Sequence, residues 1–193
     1  KCYYMLTLKN IADACQENGL KYHLDGARLF NAMVANKENP KEYGSLFDSI
    51  SICLSKGLGA PAGSLLLGST GFIQNAHRVR KVMGGGMRQV GYLAAAGIYA
   101  LDHNVERLAD DHLRAKHISN SIQNAPFITG TELPETNILM VDLEISAEEY
   151  LKKLSANNMQ AIGFGPNRIR ITTHLDVTEN DIEKAIGIMK NLS

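Results

Sequence analysis

The chain has 193 residues, 45% of them hydrophobic, enough to bury a substantial core in one domain or one and a half. Lysine plus arginine and aspartate plus glutamate stand at 20 each, so no bulk charge draws the protein to nucleic acid or to an anionic membrane. Cys2, Cys15 and Cys53 form no CxxC pair, which argues against a disulfide framework and for a reducing compartment, the cytosol by default; no signal peptide is visible and no apolar run approaches the ~20 residues that cross a bilayer.

From Leu8 to Asn18 the apolar positions Leu8, Ile11, Ala12 and Cys15 keep helical spacing, and Gly19 closes the helix. Tyr22-His23-Leu24-Asp25 then forms a short strand that ends in a carboxylate and turns through Gly26 into a helix from about Ala27 to Val34. A polar loop from Asn36 to Lys41 follows. Ile50, Ile52 and Leu54 alternate with Ser49, Ser51, Cys53 and Ser55, the period of a strand, and the run ends at Lys56-Gly57-Leu58-Gly59. Gly63 to Gly68 is expected to add one more buried strand, so the rhythm is that of an α/β fold.

Asp25 and Lys56 therefore stand at two strand ends. In an open parallel sheet the crevice beyond the strand C-termini is where ligands bind, so this carboxylate, this amine and Arg28 are expected to face one ligand. The small residues around Lys56 leave room for something bulky, and a partly dehydrated lysine is a ready amine nucleophile for Schiff-base chemistry. A solvated lysine in a turn is an equal alternative on this stretch alone, and Asp25 has the alternative of capping the helix that follows it. A pyridoxal phosphate site needs this trio: an amine for the aldehyde carbon, a carboxylate to keep the pyridine nitrogen protonated, and a polar group for the ring oxygen.

A helix from Thr70 to Arg80 is expected to end at Val82-Met83-Gly84-Gly85-Gly86-Met87, because glycine costs ~1 kcal/mol relative to alanine within a helix. The triple glycine beside Lys81 and Arg88 is either a phosphate cradle built from backbone N–H groups or a flexible connection. Gly91 to Ala100 is rich in alanine and glycine and suits a buried or interface helix. His103, His112 and His117 lack metal-ligand spacing and are expected on the surface, with no metal site.

Composition changes near Asn124-Ala125-Pro126, where an α+β unit begins. Ile138 to Leu143 forms a strand, Ser146 caps a helix running to about Asn157, and Ile162 to Phe164 and Ile169 to Thr172 are two further strands. Thr178-Glu179-Asn180-Asp181 opens the last helix, with Ile182, Ala185, Ile186 and Met189 as its apolar stripe. Arg168 and Arg170 share a strand face, and the residues alone do not say which grips a ligand and which is a surface ion pair.

The run from His23 to Ala32, followed by Ser55-Lys56-Gly57-Leu58-Gly59-Ala60-Pro61-Ala62-Gly63, resembles the low-specificity L-threonine aldolases, fold-type I pyridoxal-phosphate enzymes of the beta-eliminating lyase/threonine aldolase family. The likeness extends through essentially the whole chain, to Arg168-Ile169-Arg170-Ile171-Thr172-Thr173-His174-Leu175-Asp176. It implies an aminotransferase-like large domain, here residues 1–124, with a mainly parallel sheet and flanking helices, and a small α+β domain over 125–193. By the family pattern Lys56 carries pyridoxal 5'-phosphate, Asp25 contacts the pyridine nitrogen, Arg28 the ring oxygen, and Arg170 the substrate carboxylate. Lys81 and Arg88 match basic residues that reach the cofactor region of an adjacent subunit, which implies a homo-oligomer, dimer or tetramer, with shared sites.

The activity implied is cleavage of L-threonine, L-allo-threonine or a related β-hydroxy-α-amino acid to glycine and an aldehyde. The family's Gly-Thr phosphate turn and its ring-stacking histidine, the candidate general base, lie ahead of the matching point. The chain is therefore expected to be the C-terminal part of an enzyme, active only with that segment. Two alternatives stand beside this: another fold-type I β-eliminating lyase, which would release pyruvate and ammonia, and a non-catalytic fragment that serves folding and assembly.

Overall fold

The computed structural model describes residues 2–193, which divide into two compact units, 2–106 and 107–193. The first unit opens with α1 (Met5–Glu17). Gly19, at φ 65°, closes it: the N–H of Gly19 reaches the Gln16 carbonyl and that of Leu20 the Cys15 carbonyl, a Schellman ending that needs the left-handed backbone glycine adopts freely. Next come β1 (His23–Gly26), α2 (Leu29–Asn36), α3 (Pro40–Leu46) and β2 (Ser49–Cys53). β1 and β2 pair in parallel with Asp25 opposite Ser51, and the two helices form the crossover such a pair requires. Gly26 permits the close approach, since a Cβ there would stand 2.6 Å from the Ser51 carbonyl oxygen.

The inner face of this sheet buries Ile50 and Ile52 against Leu8 of α1, Leu29 and Met33 of α2, and Tyr43 and Phe47 from the α3 region. The opposite face carries His23, Asp25, Ser49, Ser51 and Cys53, in keeping with the period of two. β3 (Ser64–Gly68) then pairs antiparallel with β2, so the parallel pair acquires an antiparallel edge strand. Leu65, Leu66 and Leu67 are 39–43% exposed, unlike the buried strand expected there, β3 being the edge strand of its sheet among the described residues. α4 (Thr70–Val82) and α5 (Gly91–His103) complete the unit. α5 is less buried than its composition suggests: Gly97 and Ala100 are covered, while Tyr92, Ile98 and Tyr99 face solvent.

α3 replaces the polar loop expected before β2. Asn39 accepts a hydrogen bond from the Lys41 N–H and Pro40 occupies the first helical position, so the Asn-Pro pair starts a helix.

The second unit contains α6 (Leu108–Ile122), β4 (Ile128–Thr131), β5 (Ile138–Leu143), α7 (Ala147–Ala156), β6 (Ile162–Gly163), β7 (Arg168–Thr172) and α8 (Glu179–Lys190). Its antiparallel sheet has the order β4-β5-β7-β6. One face supplies Leu139, Val141, Leu143, Ile169 and Ile171 to a core shared with Ile118 and Ile122 of α6, Tyr150 and Leu154 of α7, and Ile182, Ile186 and Met189 of α8. α6 buries its apolar face in this core, and the compact unit spans 107–193. The same packing buries His112, contrary to the surface position expected of it, and desolvation pulls its imidazole pKa below the ordinary value. His117 is the exposed neighbour, 2.6 Å from Glu183 of α8. Ser146 caps α7, and Thr178 and Asp181 form a reciprocal capping box on α8.

Candidate active site

The parallel pairing of β1 and β2 points both strand ends to the same edge of the sheet. Asp25 lies one residue before the end of β1 and Lys56 three residues past the end of β2. Asp25 is exposed, and its Oδ1 accepts the Ala27 N–H at 3.1 Å, a local turn that steadies the carboxylate and leaves the second oxygen available. It does not cap the helix: α2 has Arg28 at that position, half-buried, with its carbonyl accepting the N–H groups of Asn31 and Ala32.

Lys56 sits in a loop whose backbone is tightly pinned. The Leu54 N–H reaches the Gly63 carbonyl, the Ala60 N–H the Leu54 carbonyl, and the Gly59 N–H the Lys56 carbonyl. Leu54, Leu58 and Ala60 are buried, and the Asn104 side chain donates to the Leu58 carbonyl at 2.8 Å, tying the loop to the end of α5. The lysine itself is exposed and forms no ion pair among the described residues. Its stem is thus held on rigid backbone while its amine is free to meet a ligand.

Beside it, Cys53 is in contact with Ser64 at 3.6 Å and Ser55 at 3.9 Å. Hydrogen bonding with Ser64, then with Ser55, and the charge of Lys56 bring the thiol below its ordinary pKa, against the opposing effect of burial.

The triple-glycine loop is not free to cradle an anion in full. The Gly84 N–H donates to the Lys81 carbonyl and the Gly85 N–H to the Arg80 carbonyl, so two of its donors close α4. Lys81, in the last turn of α4, and Arg88 beyond the loop are both exposed.

In the second unit the two strand-sharing arginines have different fates. Arg168 is held by Asp142 through Nε at 2.6 Å and Nη2 at 3.1 Å, and by Glu132 through Nη1 at 2.9 Å. Arg170, half-buried, has no carboxylate partner among the described residues, and its Nε is buried without a hydrogen bond. Its flanking cross-strand neighbours are Met140 on β5 and Ile162 on β6, and its guanidinium lies over the ring of Phe164. The sequence reads Phe164 only as a strand residue; its place beside Arg170 follows from the β6–β7 register.

The sheet edge thus carries a carboxylate with an open oxygen at the end of β1, an arginine in the turn that follows it, and an exposed amine on a pinned loop past the end of β2. Similarity to known proteins specifies the class. Residues 1–146 match the model of the beta-eliminating lyase family, and the chain belongs to that family. Among its relatives, the low specificity L-threonine aldolase of Escherichia coli (strain K12) is 44% identical over 178 residues, covering 91% of this chain and 52% of that protein. Low-specificity L-threonine aldolase 1 of Arabidopsis thaliana is 38% identical over 192 residues, covering 97% and 54%. The solved threonine aldolase structure from Leishmania major shares the fold at a TM-score of 0.77 and 21% identity, over 97% of this chain and 56% of that one. The chain thus spans about half the length of the curated relatives it matches.

Proposed function

We propose that the chain is the lysine-bearing part of a pyridoxal-phosphate-dependent carbon–carbon lyase that cleaves L-threonine, L-allo-threonine or a related β-hydroxy-α-amino acid to glycine and an aldehyde. The observation that carries this reading is the juxtaposition of the Asp25 carboxylate and the Lys56 amine at one edge of the parallel β1–β2 pair, within a chain of the beta-eliminating lyase family. Lys56 would hold the cofactor covalently. Asp25 would keep a proton on the pyridine nitrogen with the oxygen that Ala27 leaves open, and Arg28 would meet the ring oxygen. When bound, pyridoxal phosphate supplies an electron-accepting ring for the pair released as the Cα–Cβ bond breaks.

Arg170 is proposed to take the substrate's α-carboxylate, because Arg168 is already engaged by two carboxylates and Arg170 by none. A guanidinium presents parallel donors to such a group, which an ammonium does not. Lys81 and Arg88 are assigned to the site of a neighbouring subunit in a homo-oligomer. Supporting this are their exposure and the apolar surface around them, where Val79, Val82, Met83, Met87 and Tyr92 are uncovered. None of the three cysteines lies in a disulfide, as suits a cytosolic protein, and no helix among the described residues is long and apolar enough to cross a membrane.

Product analysis tests the reaction. An enzyme of the relatives' full length that carries this sequence is incubated with L-threonine and with L-allo-threonine. Stoichiometric glycine and acetaldehyde support the aldolase reading, and a 2-oxo acid with ammonia replaces it with β-elimination.

A further inference from the structure

The open face of the antiparallel sheet places an aromatic ring where a free arginine needs a wall. Ile162 of β6 lies opposite Arg170 of β7, and the Phe164 N–H donates to the Arg168 carbonyl at 2.8 Å, which continues the register by two residues. Phe164 is therefore the diagonal neighbour of Arg170 on one face, a spacing that aromatic and long side chains bridge. The Arg170 Cζ stands 5.8 Å from the Phe164 ring centroid, over the ring. On its other flanks Arg170 meets Met140 and Ile162, neither of which carries a charged partner for it.

We infer that Phe164 is a positioning residue for Arg170: its ring fixes the guanidinium so that its fork is presented, already oriented, to a planar carboxylate. The inference rests on the assignment of the substrate carboxylate to Arg170. Arg168 shows why a wall matters. Its two acidic neighbours orient it by ion pairing, and that same pairing removes it from service as a ligand group. Arg170 has no such anchor, and an arginine left to rotate would surrender rotamer entropy at the moment of binding. An aromatic face orients the cation without occupying its donors, because the attraction comes from the ring quadrupole and leaves the N–H groups in the guanidinium plane free. Phe164 is 57% exposed, so the ring is not present to fill the core.

The experiment is an acetate titration of the isotopically labelled full chain, without cofactor, following the Nε–Hε resonances of Arg170 and Arg168 by NMR. In the unmodified chain acetate shifts the Arg170 resonance saturably and leaves that of Arg168 in place. Phe164→Leu moves the free-state Arg170 resonance through loss of the ring current and weakens acetate about two- to fivefold, while Phe164→Tyr, which keeps the ring, restores both. Unaltered acetate affinity in Phe164→Leu despite the lost ring-current shift overturns the positioning role alone. Absence of any acetate response at Arg170 in the unmodified chain overturns the carboxylate assignment, and the positioning role falls with it.

Discussion

The chemistry attributed to the site turns on single charges whose surroundings differ sharply. Asp25 has one oxygen fixed by the Ala27 N–H and the other open, so an isosteric amide would keep the turn and lose the charge. Asp25→Asn should retain cofactor binding and lower turnover roughly 10²–10³-fold, the scale of losing one preorganised electrostatic contact; steady-state kinetics beside a cofactor titration check it, and near-normal turnover would reduce Asp25 to a turn residue. His112 makes the opposite use of burial. Desolvation lowers its folded pKa below the ordinary 6.5, so the unfolded chain takes up the proton first as pH falls. Stability is accordingly full above about pH 6.5 and declines from there down to the folded pKa. Urea midpoints measured across this range should fall with acid, and His112→Asn should flatten that segment of the profile. Asp111, fully buried, accepts both Nη groups of Arg107 at 2.6 and 3.1 Å. Asp111→Ala leaves that guanidinium without its partner and should cost the second unit about 3–5 kcal/mol in urea unfolding.

At the scale of elements, the sheet of the first unit depends on how closely β1 can approach β2. A methyl group at Gly26 would meet the Ser51 backbone carbonyl, which cannot swing aside as a side chain can. Gly26→Ala should therefore destabilise by about 1–3 kcal/mol, read from thermal or urea unfolding, and should displace the turn that carries Asp25. β2 and α8 were legible in the sequence because each has a local cause: Ile50 and Ile52 alternate with serines, and Thr178 with Asp181 writes out a capping box. α3 was not, since Asn39-Pro40 can mark a turn as easily as a helix start, and what decides is the burial of Tyr43 and Phe47 against residues distant in sequence. β4 escaped notice for a similar reason. Ile128-Thr129-Gly130-Thr131 has little periodicity of its own and is a strand because β5 pairs with it, through an irregularity between Ile128 and Gly130. Exposure of β3 and α5 was illegible in kind: apolar runs announce that something will cover them, not whether the cover lies within the same chain.

For the molecule as a whole, the two units carry different parts of the proposed task. Under the proposed function the first, 2–106, would supply the covalent and electronic roles through Lys56 and Asp25, and the second, 107–193, the carboxylate-binding role through Arg170. Strand ends and glycine-rich turns made Lys56, Asp25 and Arg28 candidates from residue order. The choice between Arg168 and Arg170 was not visible, because it depends on Asp142 and Glu132, which only the antiparallel register brings alongside Arg168. Lys56 is proposed as the residue to which the cofactor is joined. The most direct test is borohydride reduction of the cofactor-loaded, relative-length enzyme followed by peptide mapping. A reduced pyridoxyl group is expected on the peptide containing Lys56, with its disappearance in Lys56→Ala; the label on another lysine, with Lys56 unmodified, would contradict that assignment.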